Sequence, residues 1–557
     1  MSVSITLHSG TLGEAFNQAL HHLAEHHIAE RIAKRDHTVW RPQPDEISNR
    51  LGWLDCPHTM PDNLHQIDQV VQQARRDGLH KALLLGMGGS SLAPEVFRKV
   101  FGVTEGYLDL HVLDSTHPDA VLAQAAACDP ATTLYIPATK SGGTVETLSF
   151  LKYFYRQAVQ TLGADQAGQH FVAITDPGSG LADLAGELNF RHIFLNDPHI
   201  GGRYSALSHF GLVPAALIGA DPNSLLQRAA AAATNAEPAI QLGAFMGAGV
   251  ACGRDKLTLL ASEPLTSVGA WIEQLIAEST GKQGKGILPV DGEQPLNATA
   301  YGDDRLFVHV RIDESHDDQV DALIAAGLPL LQLTLDGKED LGAAFYYWEV
   351  ATAIAGHLMD IHPFDQPDVE AAKALARDMV QTYMEQGALP AEQSACSAGP
   401  LTVYGAGAPT TPLGALETLW SGGDSPAQYV AIQAYLPSTP ELESLIGSLR
   451  RVIYERSGMA TTLGYGPRFL HSTGQLHKGD AGRGLFLQLT ADSKTDAPIP
   501  DTANADASSL SFGVLLAAQA HGDGQALRQA GRTTLRLHLG EDAASGLHYL
   551  LAQFAQK

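Results

Sequence analysis

The chain has 557 residues, 44% of them hydrophobic, and carries 36 basic against 61 acidic side chains, a formal charge of −25. That length suits two or three globular domains, and a surface so acidic repels nucleic acid and anionic membranes. It contains neither about 18 uninterrupted apolar residues nor a basic-then-apolar leader, so membrane insertion and export are not expected. Cys56, Cys128, Cys252 and Cys396 lie far apart with no CxxC pair, which disfavours a disulfide framework or zinc knuckle and fits a reducing, cytoplasmic setting.

Residues 1–60 read as a mostly helical N-terminal segment. His22 and His26 have the i, i+4 spacing of a metal pair, but no carboxylate or third histidine follows at a ligand interval, so a solvated histidine face and no metal are expected. From Lys81, short apolar strands near 81–85, 108–114, 132–137, 170–176 and 191–196 alternate with helical stretches. That alternation predicts a doubly wound parallel sheet covered on both faces, in a first α/β unit over 61–203. A second unit over 204–384 has strands near 256–261, 305–311 and 328–333 and closes on long helices. Residues 385–399, rich in Gly, Pro, Ser and Ala, read as a linker. A third α/β unit over 400–557 follows, with strands near 400–404, 428–435, 484–489 and 533–538, and residues 492–509 read as a flexible surface loop. The third unit weakly echoes the second: Gly284-Lys-Gly and Leu306-Phe-Val compare with His477-Lys-Gly and Leu485-Phe-Leu.

Three segments carry chemistry. Lys81-Ala-Leu-Leu-Leu-Gly-Met-Gly-Gly-Ser-Ser91 is a strand, a glycine-rich turn and then a helix with Pro94 in its first turn, which presents backbone N–H groups and a helix dipole to an anion. Thr139-Lys-Ser-Gly-Gly-Thr144 leaves a second strand into a turn dense in hydroxyls, with Lys140 its only cation, as a phosphate monoester requires. In Val268–Lys282, Val268, Trp271, Ile272, Leu275 and Ile276 repeat at helical spacing, while Gln274 and Glu278 share another face one turn apart. Gly281-Lys282 reads as the helix end, so Glu278 is expected at a pocket rim.

Gly86-Met-Gly-Gly-Ser-Ser-Leu, Thr139-Lys-Ser-Gly-Gly-Thr-Val-Glu-Thr, Gly201-Gly-Arg-Tyr-Ser, Gln274 to Lys282 and Phe364-Asp-Gln-Pro-Asp-Val-Glu-Ala-Ala-Lys373 resemble, in order, the signatures of the phosphoglucose isomerase family. The C-terminal part is more similar to the isomerase half of transaldolase–phosphoglucose isomerase fusions. The resemblance implies tandem sugar-isomerase (SIS-type) domains, an aldose–ketose isomerase acting on glucose 6-phosphate, and no cofactor. It implies that Glu278 is the base, Gln274 its neighbour on the substrate, Arg203 the partner of the enediolate, Lys373 a ring-opening and sugar contact, and Ser90, Thr139, Lys140, Ser141 and Thr144 the phosphate contacts.

Two departures from the family pattern stand out. Gly143 replaces a usual threonine, which keeps open mannose 6-phosphate or a sulfonated sugar as substrate; a non-catalytic sugar-phosphate sensor is the remaining reading. The family's ring-opening histidine has no match between Glu278 and Lys373, where His309, His316, His357 and His362 do not fit. Arg468-Phe-Leu-His-Ser-Thr-Gly-Gln-Leu-His477 resembles the short bacterial histidine element, so His471 takes that role, with His477 and His209 as fallbacks. Family enzymes borrow this histidine from a partner subunit, whereas here the third unit would supply it within one chain. A fragment ending near Arg377 is then expected to keep its phosphate-binding domains folded and lose ring opening. Oligomeric state stays open, with a homodimer as one option.

Overall fold

The computed structural model describes residues 3–405, 410–421 and 428–555. Its first sheet has five parallel strands in the order Asp109–Leu113, Lys81–Gly86, Thr133–Ala138, Val172–Thr175, His192–Leu195. Ala82, Leu83, Leu84 and Leu85 are fully buried, because helices cover both faces, and so the strands read as continuous apolar runs. From Lys81–Gly86 the chain first adds a strand on one side and then Thr133–Ala138 on the other. That reversal opens a crevice outside the carboxyl ends of the two strands. Gly86 and Ala138 are register partners, so the glycine-rich and hydroxyl-rich turns begin side by side.

The second sheet runs Val3–His8, Leu330–Leu335, Arg305–Arg311, Lys256–Ala261, Leu288–Val290, parallel throughout except for the antiparallel N-terminal edge strand. Val3–His8 lies in the segment expected to be mostly helical. Six residues are too few for alternation to outweigh the helical pattern that follows, and only pairing with Leu330–Leu335 reveals them as a strand.

The third sheet runs Ser394–Ala398, Leu401–Tyr404, Thr533–His538, Gly484–Thr490, Tyr429–Tyr435, Ala460–Tyr465, its last four strands parallel. The expected linker shrinks, since the helix Val369–Gln386 enters it and Ser394–Ala398 joins the sheet. Ala460–Tyr465 was not expected as a strand: Ala-Thr-Thr-Leu-Gly-Tyr has no large apolar run. The three sheets bear out the expected α/β class with a third C-terminal unit.

The third unit is not an appendage. Tyr429, Ala431, Ala460, Leu476 and Phe486 share one core with Ala277, Leu288 and Val290 of the second unit. The 492–509 segment, expected as a flexible surface loop, instead buries Ala497, Ile499 and Ala503 against Phe150 and Phe154 of the first unit, and Arg156 Nη1 donates to the Ala505 and Asp506 carbonyls at 3.0 Å. A fragment ending near Arg377 would bare both apolar faces. Among the described residues no helix is long and apolar enough to cross a membrane.

Candidate active site

The helix Val268–Thr280 buries Trp271, Ile272, Leu275 and Ile276 almost completely, each worth about 2 kcal/mol of transfer free energy. Its other row turns Gln274 and Glu278 into the crevice. Glu278 is not at a rim but 7% exposed. Arg203 Nη1 lies 3.3 Å from its Oε1, and Gln274 Nε2 donates to its Oε2 at 3.2 Å. The carboxylate is thus enclosed by one cation and one amide.

Arg203 joins the Glu278 helix to the loop before Lys373. Nε donates to Ser279 Oγ at 2.8 Å, Nη2 to the Pro363 carbonyl at 2.7 Å and the Asp365 carbonyl at 3.1 Å, and Nη1 to Gln366 Oε1 at 3.2 Å. It clamps the loop before Lys373 onto the Glu278 helix while holding charge against the carboxylate. Glycines set how closely these pieces approach. A Cβ on Gly89 would sit 1.9 Å from the Gly202 carbonyl oxygen, and one on Gly88, which has φ +55°, would meet Gln274 Nε2 and the His471 carbonyl at 2.9 Å. Side chains there would force apart the turn, the Arg203 segment and the His471 segment.

His471 ends the 3-10 turn Arg468–His471. Arg468 Nη2 donates to Asp114 Oδ1 at 2.7 Å, and the His471 carbonyl accepts from Gln274 Nε2 at 2.7 Å, which fixes the turn over the crevice. The His471 ring Nε2 lies 3.1 Å from Glu146 Oε1. Glu146 stands in the first turn of the helix Val145–Leu162 and is 4% exposed. Burial works to raise its carboxyl, but the charge and hydrogen bond of His471, a backbone N–H and the Lys373 cation hold it below the usual carboxylate range. Sequence reasoning passed over Glu146; its place directly after the hydroxyl-rich turn was the available signal.

The phosphoglucose isomerase family model matches residues 13–285. Glucose-6-phosphate isomerase of Rubrobacter xylanophilus is 28% identical over 411 residues, covering 62% of this chain and 93% of the relative. A glucose-6-phosphate isomerase of Thermus thermophilus is 28% identical over 388 residues, covering 60% and 90%. Over these residues the chain is similar to the phosphoglucose isomerase family. A solved structure of a hypothetical protein, also from Thermus thermophilus, has TM-score 0.56 at 26% identity, covering 67% of this chain and 99% of that one. The glucose-6-phosphate isomerase of Chlamydia trachomatis shares the fold, with TM-score 0.52 at 19% identity over 64% and 78% of the two chains.

Lys373 is half-buried one turn into its helix, and its charge reaches Glu146. Gln475 pins the start of that helix: Nε2 donates to Asp368 Oδ2 at 2.6 Å and the Gly281 carbonyl at 2.9 Å, and Oε1 accepts from the Asp368 N–H at 2.9 Å. At the hydroxyl-rich turn, Thr139 Oγ1 and Thr144 Oγ1 lie 2.7 Å apart, Ser141 is exposed, and Ser90 is buried at the neighbouring turn. Lys140 does not stand over these hydroxyls as a free cation. Its ammonium pairs with Asp176 and donates to the Pro198 carbonyl at 2.8 Å. An ideal Cβ on Gly143 meets nothing within 4 Å.

The other histidines are used elsewhere. His477 is buried, its Nδ1 3.4 Å from Gln433 Nε2. His209 and His309 have both ring nitrogens buried without a hydrogen-bond partner among the described residues, while His357 and His362 face the carbonyls of Val39 and Asp45. His316 precedes a helix in the left-handed region. His21, His26 and His27 are exposed as expected of a solvated face, while half-buried His22 meets a third histidine, its Nε2 3.1 Å from His357 Nε2. Among the described residues no group of three metal-ligating side chains is placed to hold an ion. A cleft of about 620 Å³ opens in the third unit beside Tyr435, Thr490 and Arg536, and none of the Glu278 crevice residues line it. Convergent charge, not cavity size, marks the site.

Proposed function

We propose that this chain is a glucose-6-phosphate isomerase whose crevice holds the sugar between Glu278 and His471, with the phosphate at the paired turns. The observation that carries the reading is the buried Glu278 carboxylate against Arg203, next to the turn that holds the His471–Glu146 pair. Ser90, Thr139, Ser141, Thr144 and the backbone N–H groups at two helix starts receive the phosphate, and Lys140, paired with Asp176, frames the turn from behind. His471, with Lys373 on the sugar oxygens, relays the O1 proton to the ring oxygen; the C1–O5 bond breaks and an aldehyde forms. Glu278 then takes the C2 proton, the electron pair forms C1=C2, and negative charge collects on O1 beside Arg203. The O2 proton passes to O1, and return of the Glu278 proton to C1 gives the ketose. Protons move, and no electron acceptor is needed.

The family relationship and this constellation favour the enzyme over a sensor, which has no need of a buried base. The test is fructose 6-phosphate formation from glucose 6-phosphate with loss of C2 deuterium to solvent. Glu278→Gln should lower kcat about 10³-fold with the fold intact; a variant as fast as wild type would sink the assignment.

A further inference from the structure

We propose that Gln519 is a positioning residue for ring opening: its carboxamide fixes the charge of Glu146 and, through it, the proton on His471. The inference rests on the isomerase reading above. Gln519 projects from the helix Phe512–Gln529 of the third unit into the first. Its Nε2 lies 2.6 Å from Glu146 Oε1, the same oxygen that faces His471 Nε2 at 3.1 Å. Gln519 is 3% exposed, and its Oε1 accepts from Thr116 Oγ1 at 2.8 Å, a hydroxyl that is fully buried.

The amide orientation follows from chemistry. Turned over, Oε1 would face the Glu146 carboxylate, acceptor against acceptor, so the NH2 group belongs on Glu146. An amide NH2 donates and never accepts. This fixed N–H donor on the carboxylate oxygen favours the ionised acid. An ionised Glu146 in turn requires the His471 proton on Nε2, leaving Nδ1 as the nitrogen that exchanges protons with the sugar. The charged groups facing Glu146 are His471 from its turn and Lys373 from its helix; Gln519 adds a fixed donor that does not titrate. The third unit therefore supplies both the ring-opening histidine and the group that sets its tautomer.

The test compares glucose 6-phosphate with a hexose 6-phosphate lacking the C4 and C5 hydroxyls, which closes neither a furanose nor a pyranose. Wild-type turnover of both, measured first, separates failure of this assignment from failure of the isomerase reading. Gln519→Met should lower kcat/KM on glucose 6-phosphate about tenfold to a hundredfold and leave the acyclic substrate within about twofold. Gln519→Glu, of the same size, donates only when protonated, so its defect should be full at about pH 8 and ease toward about pH 5.5. Equal losses on both substrates, or no loss in either variant, would overturn the proposal, as would a Gln519→Glu defect that does not change with pH. Thermal unfolding of both variants guards against a fold defect read as a kinetic one.

Discussion

The first and third α/β units both build the crevice, and they do so by opposite means. The first contributes two contiguous turns that leave register partners Gly86 and Ala138, with shape set by backbone and glycine. The third contributes single side chains from three elements, Arg468, His471, Gln475 and Gln519, each reaching across to another unit. Turns made of consecutive residues are specified locally, whereas isolated side chains act only where packing delivers them. Substitutions at the close-packed glycines of the first region should therefore disturb the fold, and those in the second should disturb chemistry with less effect on stability.

The harshest way to probe that contrast is Gly89→Ala. Its Cβ would meet the Gly202 backbone at 1.9 Å, so a loss of about 3 kcal/mol or more in urea unfolding is expected, with activity lost alongside. A neutral result would break the account of the turn. His471→Asn is the counterpart from the third unit: isomerisation of ring-closed glucose 6-phosphate should fall about 10²- to 10³-fold while the melting temperature moves little, because the side chain is 16% exposed and packs no core.

The buried His309 sharpens the contrast further. Burial, then the Arg311 and His316 charges, press His309 down to about 4, below the ordinary value near 6.5. The unfolded chain therefore binds this proton more readily, and the contribution of His309 to stability is intact above about pH 6.5 and lost as pH falls toward about 4. His309→Leu should remove about 2 kcal/mol of the stability difference between about pH 7 and about pH 5, measured by urea unfolding at each pH. The smallest effect is expected at Gly143→Thr. A Cβ there meets open space, so stability should stay within about 0.5 kcal/mol, while the added hydroxyl at the anion turn should lower KM for the phosphorylated sugar.

Much of this was legible in the chain. Twelve expected strands reappear, because strands buried on both faces must be apolar runs. The Glu278 helix was legible from its spacing, since burying Trp271, Ile272, Leu275 and Ile276 on one face leaves Gln274 and Glu278 on another. Val3–His8, Ala460–Tyr465 and the docked 492–509 segment were not, because their partners are far along the chain and their own residues are short, small or polar. Glu146 stood inside a motif without a role, and Gln519 carried no signal, since a glutamine in a helix acquires meaning only from what it faces.

The residues thus determined by themselves the α/β class, the paired turns and the placing of Glu278 on its helix, all properties of neighbouring residues governed by local geometry and burial. Tertiary structure alone decided that Glu278 is enclosed by Arg203 and Gln274, that Lys140 is paired with Asp176, and that His471 and Gln519 meet on one oxygen of Glu146. Most of those contacts join residues far apart along the chain. No local preference encodes them; they follow from three sheets packed into shared cores.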